Sequence, residues 1–485
     1  MRGVMSDNRK GRIWDRLQGL RETPAITLLN RFVYTQSYVI VIAILAAISN
    51  IFSTELFVYP VYIMIGLFLS LFAKDYLPLI PIVICCYIAP SVGNNPGRNP
   101  DSIFYLQNGG IALILMAAVL AASIIFRLWI DPEIGGKIFF RYKRKLLPGI
   151  LTLGGAYLLS GIGTASYRDH VWNNLLFALI QIASILVPYY FFTGAVRWNE
   201  AFRNYFACTG LAVGAALMLE IGNIYLNGDI FVDGAIARVK LYTGWGIHNN
   251  IGALLAMMIP FAFHYAYKRT HSWRYVITGT AFFLGVVLTC SRGSILFAAL
   301  LYCVCFAAIL LKGKNKRANV IAFLGIFLPV VICIFIFRDE LLYVFRDMLS
   351  KKLDPQWRDV FYVEGFKQYL KYPIFGGSFF PIEFSPWDWA QGTGFSGFFP
   401  PRWHNTVIQL LACCGVVGIL SYAYPRYLTL ILFWGKPAVE KTMSGFSILV
   451  LLGTSLVDCH FFNVGPTLFY SMGLAFAERI WENKR

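Results

Sequence analysis

The chain reads as an all-α, polytopic transmembrane helical bundle. Three observations carry that reading. Only 14% of the 485 residues are charged, against about 25% in an ordinary soluble domain. Apolar stretches long enough to cross a bilayer recur from residue 37 to residue 480. No stretch of ordinary domain size separates them, so hydropathy, at a mean of +0.61, overrides the several soluble domains that length alone suggests.

Residues 1–36 form a basic amphipathic segment expected in the cytoplasm. Between Arg9 and Leu20, basic residues alternate with Ile13, Trp14, Leu17 and Leu20, a pattern that suits a helix lying on an anionic inner leaflet. No small-residue cleavage site follows a short apolar run, so this is not read as a cleaved signal peptide.

A spanning helix needs about 20 apolar residues. Spans are expected near 37–54, 58–73, 76–91, 109–128, 146–163, 174–193, 204–225, 247–266, 274–290, 294–311, 319–337, 404–433, 443–460 and 464–480. This count of fourteen, or twelve if the shortest fail, divides the chain into transmembrane helices over 37–337, a long connection over 338–403, and C-terminal helices with a short tail over 404–485. The second and third spans are short and separated only by Lys74 and Asp75. Pro425 predicts a kink or an early end in the span from 404.

With the N-terminus inside, every strongly basic short loop falls on one side: Arg127 to Lys145, Arg197 and Arg203, Lys268 and Arg269, Lys312 to Arg317, Lys436 and Lys441, and the C-terminal Arg479, Lys484 and Arg485. That bias sets orientation and places both termini in the cytoplasm. The net charge of +17 is thereby accounted for without nucleic acid. The connection 338–403 then lies outside the cell membrane. Its aromatic content argues against disorder, and a short surface helix is expected from Pro355 to Tyr372. The ten cysteines sit mostly within apolar runs, with no CxxC pair and no metal-like spacing to histidine, and read as packing residues.

Unusual polar residues collect on the outer side. Arg292, in Ser291-Arg292-Gly293, sits in a tight gap between two apolar runs. An arginine snorkelling to head groups is one reading, but an embedded cation is a functional candidate by default. His404 opens the span after the long connection, preceded by Arg402 and followed by Asn405. Alone it would be a local cap; beside those neighbours it becomes a candidate general base. Arg358 and Glu364 fit either a solvated amphipathic helix or an anion site. His248 and Asn250 open another span, in an arrangement that echoes Trp403-His404-Asn405. Guanidinium forks bind phosphate well, so Arg292, Arg358 and Arg402 suit the diphosphate of a lipid-linked substrate.

The order of these motifs resembles the O-antigen ligase and O-antigen polymerase superfamily of bacterial polysaccharide enzymes. The resemblance rests on Thr289-Cys-Ser-Arg292-Gly293, then Arg358 and Lys371-Tyr-Pro-Ile-Phe-Gly-Gly377, then His404-Asn405-Thr406, then Gly415-Val-Val-Gly418. Asn249 to Pro260 adds an asparagine-bearing helix start. Together these cover roughly 245–425. The resemblance implies a glycosyltransferase class C-like fold and glycosyl transfer on the outer face of the cytoplasmic membrane. The donor would be a glycan on a polyprenyl diphosphate, usually undecaprenyl. Arg292 and Arg358 would hold its diphosphate and His404 would activate the acceptor hydroxyl, with inversion and without metal or other cofactor. Two features depart from the family: fourteen spans rather than about twelve, and an aromatic insertion from Phe379 to Phe399 holding Trp387 and Trp389. Those tryptophans are candidates for stacking on sugar rings, or a cover on the membrane surface.

A polymerase of lipid-linked repeat units leads. A ligase passing glycan to a lipid or protein acceptor differs only in acceptor. A lipid-linked oligosaccharide flippase is the alternative of another class, but it should carry charges along a cavity open to each side, whereas these polar residues are one-sided. A glycosyltransferase of the shape-and-division group would need an outer-loop Asp motif that is not apparent.

Overall fold

The computed structural model describes residues 2–88, 110–131, 143–196, 200–228, 230–244, 246–268, 272–313, 315–346, 349, 358–380, 402–434 and 439–482. They are overwhelmingly helical, and the sheets among them are two-stranded ribbons. Every one of the fourteen expected spans overlaps a helix. Among the described residues, seven helices are long and apolar enough to cross a membrane, eight if one bent pair counts as a span, and four shorter apolar helices accompany them. This is a multi-pass membrane protein. The chain divides into two compact units.

The first unit comprises Met1–Arg144, Tyr190–Asn223 and Tyr242–Gly246. It opens with α1 (Arg2–Arg21) and α2 (Pro24–Val33), followed by α3 (Gln36–Phe52), α4 (Glu55–Phe72), α5 (Leu79–Ile88) and α6 (Gly110–Ile130). Proline starts α2, where its missing N–H costs nothing. The chain then turns by 72° into α3. The last carbonyls of α4 have no partner within their own helix. Buried Arg127 supplies donors to Leu69 O, Ser70 O and Lys74 O at 3.3, 3.2 and 3.1 Å, Asn30 reaches Phe72 O at 3.0 Å, and Asp131 balances Arg127 at 3.6 Å.

The second unit comprises Lys145–Tyr189, Ile224–Leu241 and Ile247–Arg485. Its helices include α7 (Leu147–Leu158), α8 (Ala165–Asp169), α9 (Val171–Ala195, which runs on past the unit boundary), α11 (His248–Lys268), α12 (Ser272–Leu288), α13 (Arg292–Lys312), α14 (Lys316–Ile336) and α15 (Arg338–Val344). After them come α16 (Arg358–Lys371), α17 (Thr406–Phe433), α18 (Val439–Thr454) and α19 (Val464–Glu482); α10 (Glu200–Leu226) lies largely in the first unit. Helix α11 is apolar beyond its first turn and almost wholly buried, whereas α14 turns nearly its whole surface outward. A helix hydrophobic on every side must be surrounded by protein or lipid; α11 takes the first solution and α14 the second. Glu478 on α19 receives the backbone N–H groups of Lys145 and Leu146 at 2.8 and 3.2 Å, capping the start of α7 from another helix.

Helix α17 continues through Pro425 and breaks instead at Gly415, whose φ is 61°. The expected kink is therefore at the wrong residue. Pro425 packs against Gly149, where an added Cβ would lie 2.8 Å from the proline Cα. The break exposes backbone groups that must be satisfied in an apolar setting, and the chain just after α16 satisfies them. Val416 and Val417 donate to Pro373 O and Ile374 O at 2.9 and 3.2 Å, while Gly377 and Ser378 donate to Ala412 O and Cys413 O at 2.7 and 3.3 Å. Gly376 lies so close to Cys413 that a Cβ would sit 2.2 Å from its carbonyl carbon. The two glycine motifs of the sequence are thus the halves of one joint, and it ties α16 to α17.

Candidate functional site

The polar residues gather where α11, α13 and α17 begin and α12 and α18 end. Between α12 and α13 the chain turns through Cys290, at φ 53°, and Ser291 opens α13 with Arg292 as its first residue. Gly293 is obligatory for proximity: a Cβ there would stand 2.2 Å from Val457 Cγ2. Its absence lets the 455–463 loop lie against Arg292. Arg358 is likewise the first residue of α16. The positive end of α13 thus carries a guanidinium group, an arrangement that attracts anions.

A third arginine joins them. A hairpin pairs Phe231 with Ile236 and Val232 with Ala235, turning through Asp233 and Gly234 at φ 48° and 72°, as a tight Asp-Gly hairpin turn requires. Tyr343 and Arg346 donate to Asp233 O at 2.7 and 3.3 Å, and the hairpin leads into the turn that carries Arg238. Arg238, Arg292 and Arg358 line one cavity with Asn249, Ser291, Asp458 and His460. Its volume is about 20 Å³, room for about one water.

Asp458 organises the histidines. Its Oδ2 accepts from Asn249 Nδ2 at 2.8 Å and its Oδ1 from the Cys459 N–H at 2.7 Å. His404 Nδ1 stands 3.5 Å from Oδ1, an ion-pair separation rather than a well-formed hydrogen bond. Burial alone would raise the Asp458 carboxyl, but the neighbouring His404, His460 and the Cys459 N–H outweigh it and hold the carboxyl well below the usual range. His404 occupies the left-handed region at φ 51°, a strain of roughly 1–3 kcal/mol of the kind that clusters at working sites. Its ring is 27% exposed and meets the Phe361 ring edge-on. Asn405 is a structural cap: its side chain accepts from Val407 N and Ile408 N at 2.8 and 3.2 Å and donates to Leu456 O at 2.7 Å.

Arg292 and Arg358 line the same cavity. His404 does not line the cavity; it reaches it through Asp458. Arg402 does not line it either, though its charge is felt at His460. His248 is buried at the start of α11, and Asn250 bonds His460 and Asn463 at 3.2 and 2.6 Å. Trp387 and Trp389 lie outside the described residues. Arg238, Asp458 and His460 escaped the sequence reading, and Asn249 entered it only as part of the asparagine-bearing start of α11. Asp458 and His460 fell inside the span expected over 443–460, but α18 ends at Thr454 and the chain beyond it unwinds. Their one signal was an acidic residue and a histidine two apart in an otherwise apolar run.

No curated protein matches the chain. Residues 277–423, which run from α12 through the joint in α17, match the family model described as O-antigen ligase. This match supports the resemblance to the O-antigen ligase and polymerase superfamily read from the motifs, over about 30% of the chain.

Proposed function

We propose that the protein is a glycosyltransferase that polymerises polyprenyl-diphosphate-linked oligosaccharide repeat units into a cell-surface polysaccharide. The reaction takes place on the outer face of the cytoplasmic membrane, with both termini inside. The observation that carries the reading is the convergence of Arg238, Arg292 and Arg358, from three separate elements, on one cavity that also holds Asp458. Three fixed cations against one carboxylate suit a dianionic diphosphate.

In this mechanism the arginines hold the donor diphosphate and face the charge that grows on it as the anomeric carbon–oxygen bond breaks. Donors placed in advance for such charge are often worth several kcal/mol. The acceptor hydroxyl attacks the anomeric carbon from the opposite side and loses its proton to His404, oriented by Asp458. A positioned base of this kind contributes about 100-fold or more. The lipid chain stays among the apolar helices, and cleavage of the glycosyl–diphosphate bond drives the step. A cavity of about 20 Å³ is too small for a diphosphate, so entry of the donor requires the arginine side chains to part.

A ligase reading uses the same donor chemistry with another acceptor. Reconstitution with purified polyprenyl-diphosphate oligosaccharide and sizing of the product separates them: a ladder supports the polymerase, and a single shifted acceptor supports the ligase. Transbilayer movement with no new bond refutes both.

A further inference from the structure

His460 has no part in the mechanism above, yet it lines the arginine cavity and is only 1% exposed. Its Nδ1 lies 3.2 Å from Asn250 Oδ1, which also accepts from Asn463 Nδ2 at 2.6 Å. An amide oxygen only accepts, so Nδ1 carries the ring proton and Nε2 keeps the lone pair. Charged and titratable groups surround the ring from every neighbouring element. Asp458 precedes it in the same loop, Arg402 and His404 lie ahead of α17, and Arg358 opens α16. Arg238 and Arg292 line the cavity with it, and His248 starts α11. Burial is the largest cause of a pKa lowered to about 4; Asp458 opposes it, and Arg402, Arg358 and His404 reinforce it. The ring is therefore neutral at pH 7.

A lone pair facing a phosphate oxygen is repelled by it. One added proton turns that repulsion into a charge-assisted hydrogen bond. The anion itself supplies the reason to protonate, since an opposite charge within about 4–6 Å lifts a histidine pKa by about 1–3.

We propose that His460 is a proton-linked ligand of the donor diphosphate: an anion entering among Arg238, Arg292 and Arg358 brings one proton onto Nε2, which then donates to a phosphate oxygen. The role rests on the diphosphate reading given above. The sign follows from linkage. Binding is insensitive to pH below the free ring's pKa, weakens as pH rises from that value to the higher pKa of the bound ring, and levels off above it.

The test uses the full chain in lipid nanodiscs and a synthetic farnesyl-diphosphate-linked monosaccharide. Both phosphates of that probe are esterified and stay ionised throughout, unlike a terminal phosphate, which titrates near 6. Calorimetry at pH 5.5 in two buffers of different ionisation heat should register net proton uptake, of up to about one proton per probe bound. Affinity should fall by up to about tenfold per pH unit from about pH 4 to the pKa of the bound ring and be level above it. His460→Gln should bind with no uptake and a flat pH profile, with His460→Asn as its replacement if it fails to accumulate. His404→Gln should keep the uptake. Binding by the wild type without proton uptake, or equal uptake in the His460 variants, overturns the role of His460. A wild type that does not bind the probe overturns the diphosphate reading itself.

Discussion

Replacing Asp458 by Asn removes one charge and little else. Asparagine at 458 can still accept the Cys459 N–H, but it turns one oxygen into a donor facing Asn249 Nδ2, now 2.8 Å from Oδ2. Losing that bond costs about 1 kcal/mol. The larger effect is on His404, which must carry positive charge after taking the acceptor's proton. Two unit charges at the observed 3.5 Å interact by about 5 kcal/mol at an effective dielectric near 20. With its ring 27% exposed, His404 is partly screened by water, which leaves about 2 kcal/mol. The bond to Asn249 is present in ground and transition state alike and bears on stability, so the charge effect alone predicts a fall in kcat of about 30-fold. The assay is initial-rate transfer in proteoliposomes, with size-exclusion profiles to show that the variant accumulates as a monodisperse protein. A well-folded Asp458→Asn enzyme within about threefold of wild-type kcat, a change of under 1 kcal/mol, would refute the pairing of Asp458 with His404.

Arg292→Ala and His404→Ala should each abolish polymer while the protein still accumulates in the membrane; normal product from both removes them from the mechanism. Arg292→Lys should also be poor, since lysine cannot offer a bidentate fork, and full activity would show that charge alone suffices. Arg238→Ala should be as damaging as Arg292→Ala in the same transfer assay, and wild-type rates would exclude it from the site. Gly415→Ala meets both a φ of 61° and a Cβ position 2.4 Å from Ile374 O. It should cost at least about 2 kcal/mol, seen as a lower thermal midpoint in detergent, and an unchanged midpoint contradicts the joint.

The helices were legible because a bilayer leaves few alternatives: apolar runs of spanning length must fold as helices, and all fourteen expected runs overlap one. Arg292 was legible because charge beside apolar runs is costly and conspicuous; Arg358, which spacing alone left as either a solvated helix face or an anion site, was singled out by the family resemblance. Asp458 and His460 were hidden for the converse reason. Phe461, Phe462 and the leucines before Asp458 keep that run apolar, and hydropathy does not reveal where a helix unwinds. Proline drew attention to residue 425, but the break at Gly415 depends on carbonyls supplied from Pro373 and Ile374, a tertiary contact that no local pattern announces. Arg238 looked like an ordinary loop cation until the hairpin, held at its turn by Tyr343 and Arg346, placed it in the cavity.

The most direct trial of the arginine-lined diphosphate site is transfer by the purified protein in proteoliposomes, given a radiolabelled polyprenyl-diphosphate oligosaccharide. The wild type should produce longer glycan and release polyprenyl diphosphate in step with each new bond. A variant lacking Arg238, Arg292 and Arg358 should do neither while remaining folded. Glycan extension by that triple variant at the wild-type rate would contradict the account.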